Sequence, residues 1–304
     1  MFYDRRNQVV NSILSEVYVV LINSSTKITI LVDNIILSSS PANLLAEHGF
    51  SALIETGKET FLYDTGSSGF TLLNNAHRLK KDLKKIDAII LSHNHSDHTG
   101  GLLTLLDYLR KDIKIYAHHD IFKKTFSSKT KKTTFIGIPF AKEMLESLGA
   151  NFVFLDSPTK IKEDIFLSYQ IETSNDFEIT DQKLLKLEKD AHLVPDTFEE
   201  DMSIYFKNSD LLSVLTGCAH KGVINIIEQG KRSTGCNKLD AIIGGSHLGP
   251  ASKEQQDKTI EALKTLNPER VAFVHCTGVQ MISRCASELK ERFIFSGVGS
   301  SFEV

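Results

Sequence analysis

The first third of the chain alternates short apolar segments with polar turns. Residues 27–32, 51–55 and 60–63 are rich in β-branched and aromatic side chains, and the last two flank a turn that contains Gly57. Such a pair predicts a β-hairpin. Residues 86–91 form a continuous apolar run, which is typical of a strand that is buried on both faces.

Helical periodicity follows this buried run. Apolar side chains recur with the period of a helix over residues 102–109. We expect a strand at residues 114–117 and a helix at residues 141–148. The Lys-, Ser- and Thr-rich residues 123–132 between them indicate a mobile surface loop. Residues 151–200 alternate strand-like and charged pieces, and their pattern predicts no definite elements.

The last third of the chain repeats one unit three times. Each unit is an apolar strand, a turn of small residues that contains a histidine, and a helix. The units cover residues 211–229, 241–266 and 271–291. Strand-rich stretches that are each followed by helices, with no linker between them, predict one layered α/β sandwich rather than two domains.

Composition narrows the class of protein. The 304 residues are 41% hydrophobic and 24% charged, which is ordinary for a soluble globular protein. We expect a single domain over residues 1–304, with an N-terminal extension at residues 1–26 and an inserted loop and helix at residues 118–150. The net charge of −3 gives no basic footprint, so nucleic acid is not an expected partner. No apolar run reaches the ~18 residues of a membrane span, so a membrane is not expected either.

The N-terminus and the cysteines bear on the compartment. Arg5 and Arg6 precede an apolar segment at residues 9–20. Polar residues interrupt that segment and no small-residue cleavage site follows, so we predict no signal peptide. The four cysteines are sparse and form no CxxC motif, which argues against a disulfide scaffold. We therefore expect a cytoplasmic protein, and the sequence leaves a homo-oligomer open.

The candidate chemistry lies directly after the buried run, at His93, His95, Asp97 and His98. In an extended segment alternate side chains share a face, so the first three can point together. The Gly-Gly pair that follows allows a sharp turn that brings His98 back. Asp97 alone could be a helix N-cap, and a lone histidine could be a core residue. Four donors within six residues exceed what one tetrahedral ion takes from one loop.

This spacing therefore predicts a binuclear metal site. His93 and His95 would serve one divalent ion, and Asp97 and His98 the other. Zinc is favoured, with iron or manganese as alternatives.

The motif HxHxDH, followed by Gly-Gly-Leu and preceded by Tyr63-Asp64-Thr65-Gly66, resembles the metallo-β-lactamase superfamily. The resemblance implies the four-layer αββα sandwich of the metallo-β-lactamase fold. It also implies that Asp64 belongs to the catalytic apparatus by orienting the ligand loop. A turn residue before Gly66 is the structural alternative for this aspartate.

Further motifs resemble one branch of the superfamily, the 7,8-dihydropterin-6-methyl-4-(β-D-ribofuranosyl)aminobenzene-5′-phosphate synthase-like proteins. The motifs are Leu31-Val-Asp-Asn34, Glu47-His-Gly-Phe-Ser51, Thr216-Gly-Cys-Ala-His220, Gly244-Gly-Ser-His-Leu248 and His275-Cys-Thr-Gly278. The chain departs from the branch at residues 169–175 and at Ser246, where the branch has an aromatic residue. Both departures lie where substrate contacts are expected, so the substrate stays open.

The resemblance also implies the remaining ligands. His275 matches the last histidine of the superfamily and is assigned to the second ion, and His220 is chosen to complete the first. Cys218 stands where many relatives place a bridging aspartate. It can be a thiolate ligand, a substrate contact or a small buried apolar residue. His247 can be a ligand or a proton donor that faces the substrate.

Two further residues are expected to contact the substrate, and one cysteine is expected to lie outside the site. His48 resembles a pocket residue on an early loop, and Ser246 is expected to face the substrate. Cys276 is expected in the core.

These assignments imply a metal-dependent hydrolase that acts on a small phosphorylated or cyclic ester. Two bound cations favour such a substrate because they stabilise charge on its oxygens. Asp97 would accept a proton, and His247 or His220 would donate one to the leaving group. The alternative implied by the branch is a transferase that joins a pterin methyl diphosphate to an aryl ribosyl phosphate and releases pyrophosphate. A di-iron redox protein is a third reading.

Overall fold

The structure is a computed structural model that describes residues 26–37, 39–41 and 43–304. The N-terminal extension expected at residues 1–26 lies, except for Thr26, outside the described residues. One domain over residues 1–304 therefore stays a prediction.

Two sheets face each other and form the centre of the fold. The first has seven strands in the order β17-β1-β2-β3-β4-β5-β8, and the second has six in the order β16-β15-β14-β13-β10-β9. The strands of the first sheet are β1 (Lys27–Val32), β2 (Ser51–Glu55), β3 (Thr60–Tyr63), β4 (Ala88–Ile90), β5 (Ile113–His118), β8 (Ala150–Leu155) and β17 (Ser301–Glu303). Those of the second are β9 (Thr159–Lys162), β10 (Ile165–Leu167), β13 (Ile204–Asn208), β14 (Leu211–Thr216), β15 (Lys238–Gly245) and β16 (Arg270–Val274).

Helices cover the outer face of each sheet. The described residues form the helices α1 (Phe70–Arg78), α2 (Ser96–Thr99), α3 (Leu102–Leu109), α4 (Lys142–Ser147), α5 (Val223–Thr234), α6 (Lys253–Leu266) and α7 (Val279–Leu289), and all except the one-turn α2 belong to these outer layers. Apolar side chains of α1, α3 and α4 pack on the first sheet, and those of α5, α6 and α7 pack on the second. A third buried cluster lies between the sheets and includes Ile30, Ile54, Ile243 and Val274. These three cores make the four-layer αββα sandwich that the resemblance implied.

A third, smaller sheet lies beside the sandwich, in the order β12-β11-β6-β7. Its strands are β6 (Thr125–Ser127), β7 (Thr134–Phe135), β11 (Leu184–Leu187) and β12 (Leu193–Pro195). The predicted insertion at residues 118–150 supplies β6 and β7. The expectation of an irregular loop over residues 123–132 is wrong for β6, because β6 pairs with β11 almost sixty residues away. We call this sheet the side sheet.

Local pattern accounts well for the two central sheets. β1, β2, β3 and α3 begin and end at the predicted residues. Both β1 and β4 pack apolar side chains on their two faces, which explains their continuous hydrophobic runs. Within the described ranges, no helix is long and apolar enough to cross a membrane.

Candidate functional site

The candidate ligands lie where the carboxyl ends of strands from both sheets meet. β1, β3 and β4 point the same way in the first sheet, and β14, β15 and β16 are parallel in the second. Side chains that follow these strands converge in the crevice at that edge, the usual place of a binding site in such sheets. The fold thereby brings His93, His220 and His275 together from distant parts of the chain.

The loop after β4 is extended only as far as His95, which has φ −64° and ψ 145°. The chain then turns into α2, so that Asp97 and His98 lie on a helical turn. The prediction that His93, His95 and Asp97 share one extended face is therefore wrong for Asp97. The turn directs Asp97 toward His98 and His275, at 3.9 and 3.4 Å from its Oδ2.

The Gly-Gly pair after α2 allows close packing of two backbone segments and does not form the sharp turn that was predicted. Gly100 has an ordinary helical φ of −65°, and so does Gly101 with φ −77°. A Cβ on Gly100 would lie 2.1 Å from the carbonyl oxygen of Ser67, and one on Gly101 would lie 2.2 Å from that of Thr65. Glycine is needed here because the loop after β3 passes against this backbone.

Asp64 is fully buried behind the ligand loop. Its Oδ1 accepts the backbone N–H of Ser92 at 2.7 Å, and its Oδ2 accepts the Ser92 hydroxyl at 2.6 Å. The same Oδ2 lies 2.6 Å from Nδ1 of His98. The Ser92 hydroxyl also lies 2.9 Å from Nδ1 of His93. Asp64 therefore holds both imidazoles with Nε2 directed into the site, which is an orienting role rather than contact with substrate.

The first group of candidate ligands is built on His93. Its Nε2 lies 3.3 Å from Nε2 of His220. The ring of His95 lies 4.6 Å from the ring of His93 and 4.9 Å from that of His220, measured between centroids. The three imidazoles that were predicted to serve one ion are thus adjacent.

The second group is built on His98. Its Nε2 lies 3.1 Å from Nε2 of His275. Asp97 closes this group, and its Oδ2 also lies 3.1 Å from Nε2 of the exposed His48. His48 thus stands at the outer rim of the site.

Cys218 lies between the two groups. Its Sγ is 3.2 Å from Nε2 of His98. Candidate ligand atoms of Cys218, His93 and His220 all lie within 4.8 Å of one another, and so do those of Cys218, His98 and His275. Of the readings left open for Cys218, this position favours a ligand that both groups share.

The histidines of the first group are held in the form that binds metal. Burial, together with the neighbouring imidazoles, lowers the pKa of His93 and His220 well below the ordinary value and that of His95 to about 3. A neutral imidazole offers a free nitrogen lone pair to a cation. Nε2 of His95 is buried and has no hydrogen-bond partner among the described residues. The donor set fits two divalent ions.

Charge is concentrated in the second group. Burial alone would raise the pKa of Asp97, but His98, His275 and His48 hold it well below the ordinary value. Burial likewise opposes the charge on His275, yet Asp97 raises its pKa to about 9. The carboxylate of Asp97 thus attracts a cation to this end of the site, where a proton and a metal ion compete for the same nitrogen.

Asp33 and Asn34, which follow β1, support the second group. Neither was predicted as a site residue. Asp33 accepts the backbone N–H of His275 at 2.8 Å through Oδ1. Oδ1 of Asn34 lies 2.9 Å from Nδ1 of His275 and accepts the backbone N–H of Gly49 at 3.2 Å. Nδ2 of Asn34 lies 3.3 Å from Nδ1 of His48. The motif that contained both residues was noted, but its contact with His275 depends on the sheet pairing.

Phe198 supports the first group, although no sequence motif pointed to it. Its ring stacks on His220, with centroids 4.0 Å apart and planes at 5°. It also meets His95 edge-on at 5.6 Å. Asp196 accepts the Phe198 backbone N–H at 2.9 Å and the ammonium of Lys123 at 2.6 Å, and that ammonium lies 5.4 Å from the Phe198 ring. A buried ion pair thus anchors the aromatic wall of the site.

A cavity of about 460 Å³ opens directly onto the two groups. The side sheet and its loops form one wall with Ser127, Lys129, Ile136 and Leu184. Cys276, which was expected in the core, also lines this cavity.

The last two predicted residues lie on the turn after β15. His247 lines the main cavity and a neighbouring one of about 230 Å³. Burial disfavours charge on His247, but Asp181 and Cys276 raise its pKa above the ordinary value. Ser246 lines the smaller cavity, and its hydroxyl lies 2.9 Å from that of Thr277. The structure therefore places His247 beside the candidate ligands, whereas Ser246 lines the neighbouring cavity and not the main one.

Comparisons with known proteins agree with this geometry. The family model of the metallo-β-lactamase superfamily matches residues 45–188. A curated relative from Methanocaldococcus jannaschii is 33% identical over 262 residues, which cover 82% of this chain and 87% of the relative. It is named 7,8-dihydropterin-6-methyl-4-(β-D-ribofuranosyl)-aminobenzene-5′-phosphate synthase.

Two further similarities extend over most of the chain. An uncharacterised protein of the same organism is 31% identical over 274 residues, which cover 90% of this chain and 98% of that protein. A solved structure described as a metal-dependent hydrolase of the β-lactamase superfamily has a TM-score of 0.77 and 25% identity, and the match covers 92% of this chain and 99% of that one.

Proposed function

The chain belongs to the metallo-β-lactamase superfamily, in the branch that includes the dihydropterin and ribofuranosylaminobenzene phosphate synthase, and from this membership we propose a metal-dependent hydrolase of a small phosphorylated or cyclic ester. The observation that carries the proposal is the pairing of four imidazoles. His93 faces His220 at 3.3 Å and His98 faces His275 at 3.1 Å, each through Nε2.

The proposed ligand sets follow from these pairs. The first ion would be held by His93, His95 and His220, and the second by Asp97, His98 and His275. Cys218 would serve both, and zinc suits a site of imidazole, carboxylate and thiolate. Two bound ions supply a water of lowered pKa and stabilise negative charge on the oxygens of an ester.

The residues around the ions would handle protons. Asp97 is held ionised and accessible, with its side chain 19% exposed, so it can accept a proton from the attacking water. His247 lies on the cavity wall with a raised pKa, so it can carry a proton to the leaving oxygen. We propose these two as the proton-transfer residues, with Asp64 acting only through the histidines that it orients, His93 and His98.

The cavity supports an anionic substrate of small size. A volume of about 460 Å³ suits a ligand the size of a nucleotide or a pterin. Lys129 stands on the side-sheet wall of the cavity, where its ammonium lies 2.8 Å from Oδ2 of Asp181. We propose that Lys129 contacts the phosphate group that lies farther from the ions.

A transferase is the second candidate, because the curated relative at 33% identity is named as a synthase. In that reaction the C–O bond of a pterin methyl diphosphate would break to release pyrophosphate, and the methyl carbon would bond to the amine nitrogen of the aryl ribosyl phosphate, which would lose a proton. The same paired ions would hold the diphosphate that leaves.

One experiment separates these functions. Protein purified without added metal is analysed for its ions, reconstituted with Zn²⁺, Mn²⁺ or Fe²⁺, and assayed with phosphomonoesters, cyclic phosphodiesters and the two synthase substrates. The proposal expects hydrolysis of an ester that is lost in His93→Ala and kept in His77→Ala, a control at an exposed histidine. Product formation only when both synthase substrates are present would assign the transferase. Absence of bound transition metal after reconstitution would contradict both functions.

A further inference from the structure

A second cluster of ligands lies beside the histidine pairs, and the proposed chemistry does not use it as a metal site. Candidate ligand atoms of Cys218, His247 and Cys276 all lie within 4.8 Å of one another. All three residues line the main cavity. Cys276 Sγ donates to the carbonyl oxygen of Cys218 at 3.5 Å and accepts the backbone N–H of His247 at 3.3 Å.

The local backbone makes room for this cluster. A Cβ on Gly245 would lie 2.6 Å from Sγ of Cys276 and 3.1 Å from Cα of Cys218, so glycine lets both residues pack against this strand end. His247 has a φ of 48°, a left-handed conformation that is uncommon for a residue with a side chain and recurs at functional sites. Both ring nitrogens of His247 are buried without a hydrogen-bond partner among the described residues.

We propose that Cys218, His247 and Cys276 form a sulfur-rich position that binds a thiophilic cation of the Zn²⁺ or Cd²⁺ class, in addition to the ions of the histidine pairs. Two sulfurs and one imidazole make three ligands of a tetrahedral site, and the cavity leaves the fourth place open. Cys218 would be shared with the ions of the histidine pairs, and Cys276 would supply a second thiolate that those ions do not use. Magnesium and calcium, which prefer oxygen ligands, would not bind there.

Occupancy of this position has a consequence for activity. It rests on the proposed function, in which His247 carries a proton to the leaving group. A nitrogen that binds a cation cannot hold that proton. Thiophilic ions in excess of those that fill the histidine pairs are therefore expected to inhibit turnover, whereas Mg²⁺ in the same excess is not.

The test is a titration of the full-length, metal-free protein with Cd²⁺, in the presence of a phosphine that keeps its thiols reduced. Equilibrium dialysis counts bound ions, and ultraviolet absorption from thiolate-to-Cd²⁺ charge transfer reports the sulfur ligands. The wild type is expected to bind one equivalent more than Cys276→Ser. The variant should lose about half of the absorption, since the thiolate of Cys276 is removed while that of Cys218 still binds the ions of the histidine pairs. Cys285→Ser, which changes a buried cysteine of α7 in another core, should match the wild type.

Two further variants make the outcome decisive. His93→Ala is expected to lose an ion of the histidine pairs while the absorption that depends on Cys276 remains, so failure of the proposed function and failure of this site are distinguishable. If Cys276→Ser does not fold, His247→Ala replaces it and must lose the same equivalent. Equal Cd²⁺ stoichiometry and equal absorption in the wild type and in the folded variant would overturn the proposal.

Discussion

Asp64 and His98 form the innermost contact of the candidate site, with Oδ2 of the aspartate 2.6 Å from Nδ1 of the histidine and both side chains fully buried. A carboxylate in this place requires the N–H on Nδ1. The Nε2 that faces His275 is then the nitrogen that stays free for a metal ion.

Removal of this carboxylate should weaken the second ion. In Asp64→Ala we expect the affinity for that ion to fall about 10- to 100-fold, because the His98 ring is no longer oriented. Competition with a chromophoric chelator measures the affinity, and Asp112→Ala, at an exposed aspartate, is the control. Equal affinities in a folded Asp64→Ala protein would show that packing alone orients the ring.

The Phe198 wall gives a prediction for the first ion. We expect Phe198→Leu to weaken that ion up to about tenfold, since a stacked aromatic pair contributes ~0.5–1.5 kcal/mol beyond burial. Phe206→Leu makes the same change in the core between the sheets, so it should lower stability and leave the metal affinity unchanged. Chelator competition and urea unfolding separate the two effects, and a pure loss of stability in Phe198→Leu would contradict the orienting role.

The side sheet gives a prediction for the substrate. We expect Lys129→Gln to raise KM for a phosphorylated ester about tenfold with a smaller change in kcat, because a distant ion pair adds binding in the ground state and the transition state alike. The exposed Lys132 of the same hairpin is the matched control as Lys132→Gln. Steady-state kinetics at low and high salt test this, and a fall confined to kcat would place Lys129 in the chemistry instead.

Asp201 should make stability depend on pH. Burial raises the pKa of its carboxyl from 3.8 to about 6. Between these values the folded chain keeps a proton that the unfolded chain releases, so the free energy of unfolding falls as pH rises through this window. The loss is ~3 kcal/mol at ~1.4 kcal/mol per pKa unit.

The variant Asp201→Asn keeps an acceptor for the backbone N–H of Lys221, which Oδ2 now accepts at 2.9 Å. The free energy of unfolding should therefore fall less between about pH 4 and pH 7 than in the wild type, and the variant should be more stable than the wild type at pH 7. Urea unfolding across this range measures the slope. A slope equal to that of the wild type would mean that another group carries the proton.

Whether an element could be predicted depends on how far apart in the sequence the interacting residues lie. The strand over residues 60–63 and the helix over residues 102–109 are set by their own hydrophobic pattern, and both were predicted to the residue. β6 and β7 are short and polar, and they exist because β6 pairs with β11. A pattern within one segment carries no information about such a partner.

The residues of the candidate site also divide into those that were predicted and those that were not. His93, His95, Asp97 and His98 were found because they lie within six residues of sequence, so their spacing alone indicates a shared function. Asn34, Phe198 and Cys276 act through contacts with residues far along the chain. Their residue types are common in cores and turns, so only the three-dimensional structure distinguishes them.

The pairing of β1 with β17, which sets Lys27 opposite Glu303, decides when the protein can become functional during its synthesis. The ligand loop after β4 leaves the ribosome long before β16 and β17 exist. Pairings of this separation form late, because a large loss of chain entropy precedes any contact. Until then His93 and His98 lack His220 and His275, their partners in the two groups. The second group is therefore complete only after β16 has been synthesised and His275 docks on Asp33.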